Sequence, residues 1–478
     1  MNRMARIGVT AAFTAIVCAG VGIGIAASGD VQLAAAPGGS GGPAVVTPLA
    51  SARRIPEWLV RPVAGARLQS AVQPALAALP PSRCVVVSDG HDEIVSDHPT
   101  DELAPASNLK LLVATAAIET FGAQNKLATD VLTTSPPDGT GAVTGDLVLR
   151  GAGDPLLETA TYGRTQKYGA APHTALEALA DHVVAAGVKH ITGAVLGDES
   201  RYDDQRNVDS WPARIVSQNQ AGPLSALSVN DARAYPAIAE ATGSVRPAPD
   251  PAAYAASALT ELLRARGVVI DGEARSATTP AGATVLLSEP SLAIADIVGE
   301  MLTYSDNNTA ELLLKELGAQ KAGDGSTAAG LPVERTALGS AGIDLAGATV
   351  MDGSGLDPTN RVSCRLLTKL LTHDGAHGPL SSGLAQAGKP GTMRDRFRGS
   401  PVAGDVRAKT GTLRGVTALS GWIHTQKNSD LAFSILLDLD GRDVGDADLV
   451  RTQRVVEALA SYPDAPPVAS VEPAAART

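Results

Sequence analysis

The chain has 478 residues, 44% of them hydrophobic and 19% charged, with a formal net charge of -11. That length allows about three domains, and the apolar fraction supplies a packed core. The net negative charge and the lack of Lys/Arg runs exclude a phosphate-binding surface, so nucleic acid is not expected as a partner.

In chain order, Arg3 and Arg6 stand ahead of an uncharged, largely apolar run from Ile7 to Ala27, and the small-residue stretch Leu33-Ala34-Ala35-Ala36 follows. Residues 1–36 read as an export signal. The run is long enough to cross a bilayer, so it is either a retained membrane anchor or a signal peptide cut near Ala36. Positive charge before it places the N-terminus inside and everything after it outside. Cys18 lies within the run without a small residue before it, which argues against lipid modification. A Gly/Pro/Ala-rich linker occupies 37–54. Beyond the signal only Cys84 and Cys364 remain, an even count in an oxidising compartment: one disulfide, or two separately buried thiols.

Ala66 to Leu79 predicts a helix stopped by Pro80-Pro81, and the β-branched run Val85-Val86-Val87 predicts a strand over Arg83 to Ser88, ending at Asp89-Gly90. Lys110 to Phe121 predicts a helix that is apolar nearly all round and therefore buried on most sides. Gly145 to Gly151 and Ile191 to Gly197 are strand-like, while His173 to Gly187 and Pro251 to Gly267 are helix-like. Near the C-terminus, Gly404 to Leu413, Thr417 to Thr425 and Leu431 to Leu439 read as three strands, Asp446 to Ser461 as a helix, and 463–478 as a Pro/Ala-rich tail. A core that begins helix then strand and ends three strands then helix predicts one antiparallel sheet completed by both chain ends. The expected organisation is a discontinuous catalytic domain, 55–138 and 284–462, interrupted by an inserted domain over 139–283.

Three short strings carry the chemistry: Ser107-Asn108-Leu109-Lys110, Ser305-Asp306-Asn307 and Lys409-Thr410-Gly411. A serine hydroxyl needs a neighbouring base, and on a helix starting at about Ser107 the Lys110 amine stands one turn from it. Pro105 fits a helix start, which aims the Ser107 N–H at a developing oxyanion. Lys110 acts as a base only if desolvation or a nearby cation lowers its pKa, and Lys409 is the candidate cation. Ser305 is expected to relay the proton to a leaving amine. Asn307, before the helical run Thr309 to Leu317, offers a donor and an acceptor for orienting Lys110 and a peptide-like substrate. Asp306 reads as a helix cap. On the strand bordering the cleft, Lys409 with the Thr410 and Thr412 hydroxyls suits a substrate carboxylate, Gly411 allows close approach of substrate backbone, and the Thr412 N–H is a second oxyanion donor. His373 and His377 flank Asp374-Gly375 without a His-Glu-x-x-His pattern, and Gly151-Ala152-Gly153 lacks a third glycine, so neither predicts a metal or nucleotide site.

Ser-x-x-Lys, Ser-Asp-Asn and Lys-Thr-Gly together mark penicillin-binding proteins and class A β-lactamases. From about Leu79 to Ser461 the chain resembles, more narrowly, the exported D-alanyl-D-alanine carboxypeptidase/endopeptidases of the low-molecular-mass class C penicillin-binding proteins. The resemblance also rests on Gly145-Asp146-Leu147-Val148-Leu149-Arg150-Gly151 with Gly153-Asp154-Pro155, on Leu224-Ser225-Ala226-Leu227-Ser228-Val229-Asn230-Asp231, and on Asp352-Gly353-Ser354-Gly355-Leu356 followed by Asn360-Arg361-Val362-Ser363. After Asp231 only Ala232 to Pro249 precedes the next helix, so a second inserted subdomain typical of the family is expected to be reduced or absent. The resemblance implies an α+β fold: a β-lactamase/transpeptidase-like α/β/α sandwich with an antiparallel sheet and an all-helical region, plus an inserted α/β domain. It further implies peptidoglycan stem peptides as substrate, β-lactam antibiotics as covalent inhibitors through a slowly hydrolysed Ser107 ester, and no metal or organic cofactor. The alternatives are a serine β-lactamase and a non-catalytic cell-wall-binding protein.

Overall fold

A computed structural model describes residues 57–163, 166–169, 171–235 and 246–465. The expected export segment, Cys18, the linker and all but the first residues of the tail lie outside the described residues, as does part of the segment expected to replace a second subdomain. No helix among the described residues is long and apolar enough to cross a membrane.

The first described element is α1 (Glu57–Ala77), which begins nine residues before the helix expected from Ala66 and carries Pro62 and Pro74 within it. Strands β1 (Arg83–Ser88) and β2 (Glu93–Asp97) follow as a hairpin, and a 3-10 turn, Ala106–Leu109, leads into α2 (Lys110–Phe121). Then come β3 (Lys126–Thr133), β4 (Leu147–Arg150), α3 (Leu176–Ala185), β5 (Val195–Asp198), α4 (Pro251–Ala265), β6 (Arg275–Ser276) and β7 (Thr284–Ala293). Helices α5 (Ile294–Tyr304), α6 (Asn307–Ala322), α7 (Thr327–Ser340) and α8 (Cys364–Asp374) form the helical region. The chain closes with β8 (Ala385–Gln386), β9 (Val406–Leu413), β10 (Val416–His424), β11 (Asp430–Asp438) and α9 (Asp446–Leu459).

The main sheet has six strands in the order β8-β9-β10-β11-β1-β2, antiparallel throughout, with Arg83 opposite Leu437. Both chain ends complete it, as the order of elements in the sequence implies. Strand alternation sorts its side chains into two layers. Val85, Val87, Leu419 and Ile435 pack with Leu68, Val72, Val455 and Leu459 of the terminal helices. Cys84, Val86, Ala418 and Leu436 pack with Leu111, Leu112 and Val113 of α2 and with the other helices. The result is an α/β/α sandwich. Helix α2 runs through the middle of the helical layer with Leu111 to Val113 fully buried, which is why no polar face appears in its sequence. A disulfide between Cys84 on β1 and Cys364 at the start of α8 ties sheet to helices, with Cα atoms 5.8 Å apart.

A second sheet, β6-β5-β4-β3-β7, is parallel among β6, β5 and β4 and antiparallel from β4 through β3 to β7. Its outer pair, β3 against β7, lies on either side of residues 139–283, so the sheet extends beyond the expected bounds of the insert. Helices α3 and α4 cover one face around Leu179, Val183, Leu259 and Leu263.

Candidate active site

The turn before α2 places the first string. Ala106 adopts φ 48, a conformation sparsely populated by residues with a side chain. Gly355, at φ 81, packs so tightly against the Ala106 carbonyl that a Cβ there has no room. Ser107, partly exposed, follows, and Lys110 begins α2 with no solvent exposure at all. The Lys110 Nζ lies 3.2 Å from Ser107 Oγ, 2.7 Å from Asn307 Oδ1 and 2.7 Å from the carbonyl oxygen of Ser354. Burial lowers the Lys110 pKa to about 8, against the opposing pull of Asp352, Asp306 and Glu311. Desolvation, and not a neighbouring Lys409 charge, is therefore what moves it.

The second string sits where α5 turns into α6. Ser305 closes α5 in the left-handed conformation at φ 67. Asp306 is the N-cap of α6, its carboxylate accepting the Asn308 N–H at 2.8 Å and the Thr309 hydroxyl at 2.5 Å. Asn307 is thus the first helical residue, two positions earlier than the helical run read from sequence. Its Oδ1 meets Lys110, and its Nδ2 donates to the carbonyl oxygen of Gln220 at 2.6 Å.

The third string lies on β9, which packs against the 3-10 turn carrying Ser107. Lys409 is fully buried, its amine donating to the Thr410 carbonyl at 2.9 Å, and burial followed by the charge of Lys110 drives its pKa well below the ordinary lysine value. Thr410 is half-buried and Thr412 exposed. Strand β8 pairs with β9 only at Arg407 and Ala408, so the β9 edge from Lys409 onward has no strand partner among the described residues. Gly411 also has a structural reason to lack a side chain. A Cβ on it would lie 2.8 Å from both the Pro105 carbonyl oxygen and Asn108 Nδ2, so the glycine lets β9 approach the Ser107 turn.

Sequence reasoning missed the groups that hold the site. Asp352 accepts the N–H groups of Gly355 at 2.9 Å and Asp357 at 2.8 Å and the Trp211 indole N–H at 2.8 Å, which fixes the 352–357 turn. Glu311 receives the Ser354 N–H at 2.8 Å from the other side. The glycines of Asp352-Gly353-Ser354-Gly355 signal a tight turn, but a backbone carbonyl aimed at Lys110 has no signature in residue type. His373 and His377, set aside as a metal pair, lie by Glu119 and Asp430 respectively.

Lys110 thus gathers a hydroxyl, an amide and a carbonyl around one desolvated amine, beside a second buried lysine on an open strand edge. That arrangement suits nucleophilic attack by Ser107 on a carbonyl compound carrying an anionic end.

Residues 68–248 and 234–455 match the D-Ala-D-Ala carboxypeptidase 3 (S13) family. The chain is 30% identical over 463 residues to a D-alanyl-D-alanine carboxypeptidase of Actinomadura sp., covering 81% of this chain and 82% of that one. It is 29% identical over 347 residues to carboxypeptidase DacB of Mycolicibacterium smegmatis, covering 70% and 71%. In fold it is similar to penicillin binding protein 4 (dacB) from Haemophilus influenzae, with a TM-score of 0.66 at 20% identity over 80% of this chain and 98% of that one.

Proposed function

This chain belongs to the D-Ala-D-Ala carboxypeptidase 3 (S13) family, and from that premise we propose that Ser107 is its nucleophile and Lys110 its base. The protein is a serine D-Ala-D-Ala carboxypeptidase that also binds penicillin. The observation carrying the residue assignment is the Lys110 amine, fully buried and within 3.2 Å of the Ser107 hydroxyl and 2.7 Å of Asn307.

In the proposed reaction Ser107 Oγ attacks the carbonyl carbon of the penultimate D-Ala of a peptidoglycan stem peptide, and its proton passes to the neutral Lys110 amine. The backbone N–H groups of Ser107 and Thr412 take the oxyanion; losing one such donor typically costs about 3 to 4 kcal/mol. The C–N bond breaks, Ser305 relays a proton to the departing D-alanine amine, and water then hydrolyses the Ser107 ester. Lys409, with the Thr410 and Thr412 hydroxyls, holds the terminal carboxylate. An arriving anion favours the charged form of Lys409 that burial and the Lys110 charge disfavour. A β-lactam enters the same way, its ring opening as the ester forms. Endopeptidase action on cross-links between stem peptides uses the same groups. The cationic start and apolar run of residues 1–36 support export, with action outside the cytoplasmic membrane and anchoring there if the segment is retained.

The test is to treat the purified protein with a fluorescent penicillin and locate the adduct by mass spectrometry, alongside D-alanine release from a peptide ending in D-Ala-D-Ala. A lasting adduct on Ser107 with D-alanine release is the expected result. Rapid penicillin turnover without a stable adduct would make the enzyme a β-lactamase, and no reaction would leave a binding protein.

A further inference from the structure

We propose that Glu311 is a positioning residue for the Ser107–Lys110 pair: its buried carboxylate anchors the Gly353–Ser354 backbone so that the Ser354 carbonyl oxygen aims the Lys110 amine at Ser107. The inference rests on the reading of Ser107 as nucleophile and deepens it.

Glu311 stands one turn after Asn307 on α6 and has no solvent exposure. Its Oε1 accepts the Ser354 N–H at 2.8 Å, and its two oxygens lie 3.1 and 3.2 Å from the Gly353 nitrogen. The carbonyl of the same Ser354 is the one 2.7 Å from Lys110 Nζ. A neutral amine has two N–H bonds and one lone pair. If Asn307 Oδ1 and Ser354 O receive the two N–H bonds, the lone pair is left facing the third neighbour, the Ser107 hydroxyl. Both aiming oxygens therefore trace back to α6: Asn307 supplies one directly, and Glu311 holds the other through the turn. A carboxylate is costly to bury, and an apolar side chain would fill the same space at lower cost, so packing alone does not account for it.

Charge gives the arrangement a signature. Asp306 and Glu311 on α6 and Asp352 on the turn face Lys110 and favour its protonated form, while Lys409 faces it from β9. Burial, then Asp352, raises the Glu311 pKa, while the Ser354 side chain and the Gly353 and Ser354 amides hold it down; Glu311 in turn, after burial, raises that of Glu334 on α7.

The experiment measures the rate of Ser107 acylation by a fluorescent penicillin from pH 5.5 to 10 for the wild type, Glu311→Gln and Glu311→Asp, with melting temperatures recorded in parallel. Glu311→Gln removes a charge that favours protonated Lys110, so the acid limb of its rate profile moves to lower pH. Its plateau falls about 10- to 100-fold as the aim loosens. Glu311→Asp keeps the charge but withdraws from the amides, so its plateau falls while the limb stays. Variants that melt earlier yet reproduce the wild-type limb and plateau would reduce Glu311 to a structural residue and overturn the proposal. If Glu311→Gln does not fold, the Glu311→Asp plateau decides alone: a wild-type value overturns the proposal. Absence of a wild-type adduct on Ser107 would instead sink the nucleophile assignment itself.

Discussion

The carbonyl oxygen of Gln220 accepts the side-chain amide of Asn307 at 2.6 Å, so a residue of the segment between β5 and β6 braces the amide that meets Lys110. Asn307 is thereby fixed at both ends of its amide, which decides which end faces the amine. Asn307→Ala removes both bonds. We expect acylation by penicillin to slow about 100-fold through loss of alignment. Stability should fall by about 2 kcal/mol, the scale of a hydrogen bond to a charged partner, read from denaturant titration. Full acylation by this variant would remove Asn307 from the mechanism.

Burial holds the Lys110 pKa near 8, below the ordinary lysine value. With the neutral amine as the proposed base, the acylation rate should climb about tenfold per pH unit up to roughly pH 8 and level off above it. The folded-state pKa is depressed, so between the folded and unfolded values the unfolded chain binds more protons, and stability rises with pH across that window. Lys110→Met should abolish the limb, lower acylation about a thousandfold and leave melting unchanged or raised. A wild-type profile that is flat between pH 6 and 9 would contradict this assignment.

Gly411 meets the Ser107 turn with no space for a side chain, a Cβ standing 2.8 Å from Pro105 O. Gly411→Ala must push β9 from the turn. Overpacking of this kind costs about 1 to 3 kcal/mol. Displacement of the nucleophile should slow acylation about 100-fold. A variant destabilised but fully active would show that the turn does not depend on β9 for its place.

The Cys84–Cys364 bond closes a loop across 280 positions. Constraining so long a loop in the unfolded chain stabilises the fold by about 5 to 6 kcal/mol on the loop-entropy account. Replacing both cysteines by alanine should shift the denaturation midpoint accordingly. It should leave the penicillin acylation rate at neutral pH within about twofold, because neither residue touches Ser107, Lys110 or Lys409. A stability difference below about 1 kcal/mol would contradict the loop-closure account.

Some elements were plain in the chain. The Val85-Val86-Val87 run between Pro80-Pro81 and Asp89-Gly90 gives β1 its observed limits, and the stretch from Leu111 to Ala117, apolar but for Thr115, gives α2. Two of the three strings mark Ser107, Lys110 and Asn307, which the fold brings together, and the third lies on β9 against the Ser107 turn. Other features left no pattern. Strand β7 buries only Ser291 and Ala293 and contains Pro290, so no alternation announces it. The Ser354 and Gln220 carbonyls act through the main chain, which every residue type shares. Gly411 looks the same in sequence whether it admits a substrate or a neighbouring turn. The depressed Lys110 pKa follows from burial, which depends on how four separate segments pack and not on any one of them.

Strand β1 is held between β2 and β11, so the first strand of the main sheet waits for the last. Lys110 likewise waits for partners 197 and 244 positions downstream. A chain that emerges from its N-terminus first has its nucleophile in hand long before the strand edge and the amide that make it work. On the proposed assignment, reactivity is therefore deferred until β11 has been made: a product ending before Asp430 lacks the strand that seats β1 and should neither capture penicillin nor resist proteolysis. The topology acts as a timer, keeping the serine proposed as nucleophile unarmed in every copy that lacks β11.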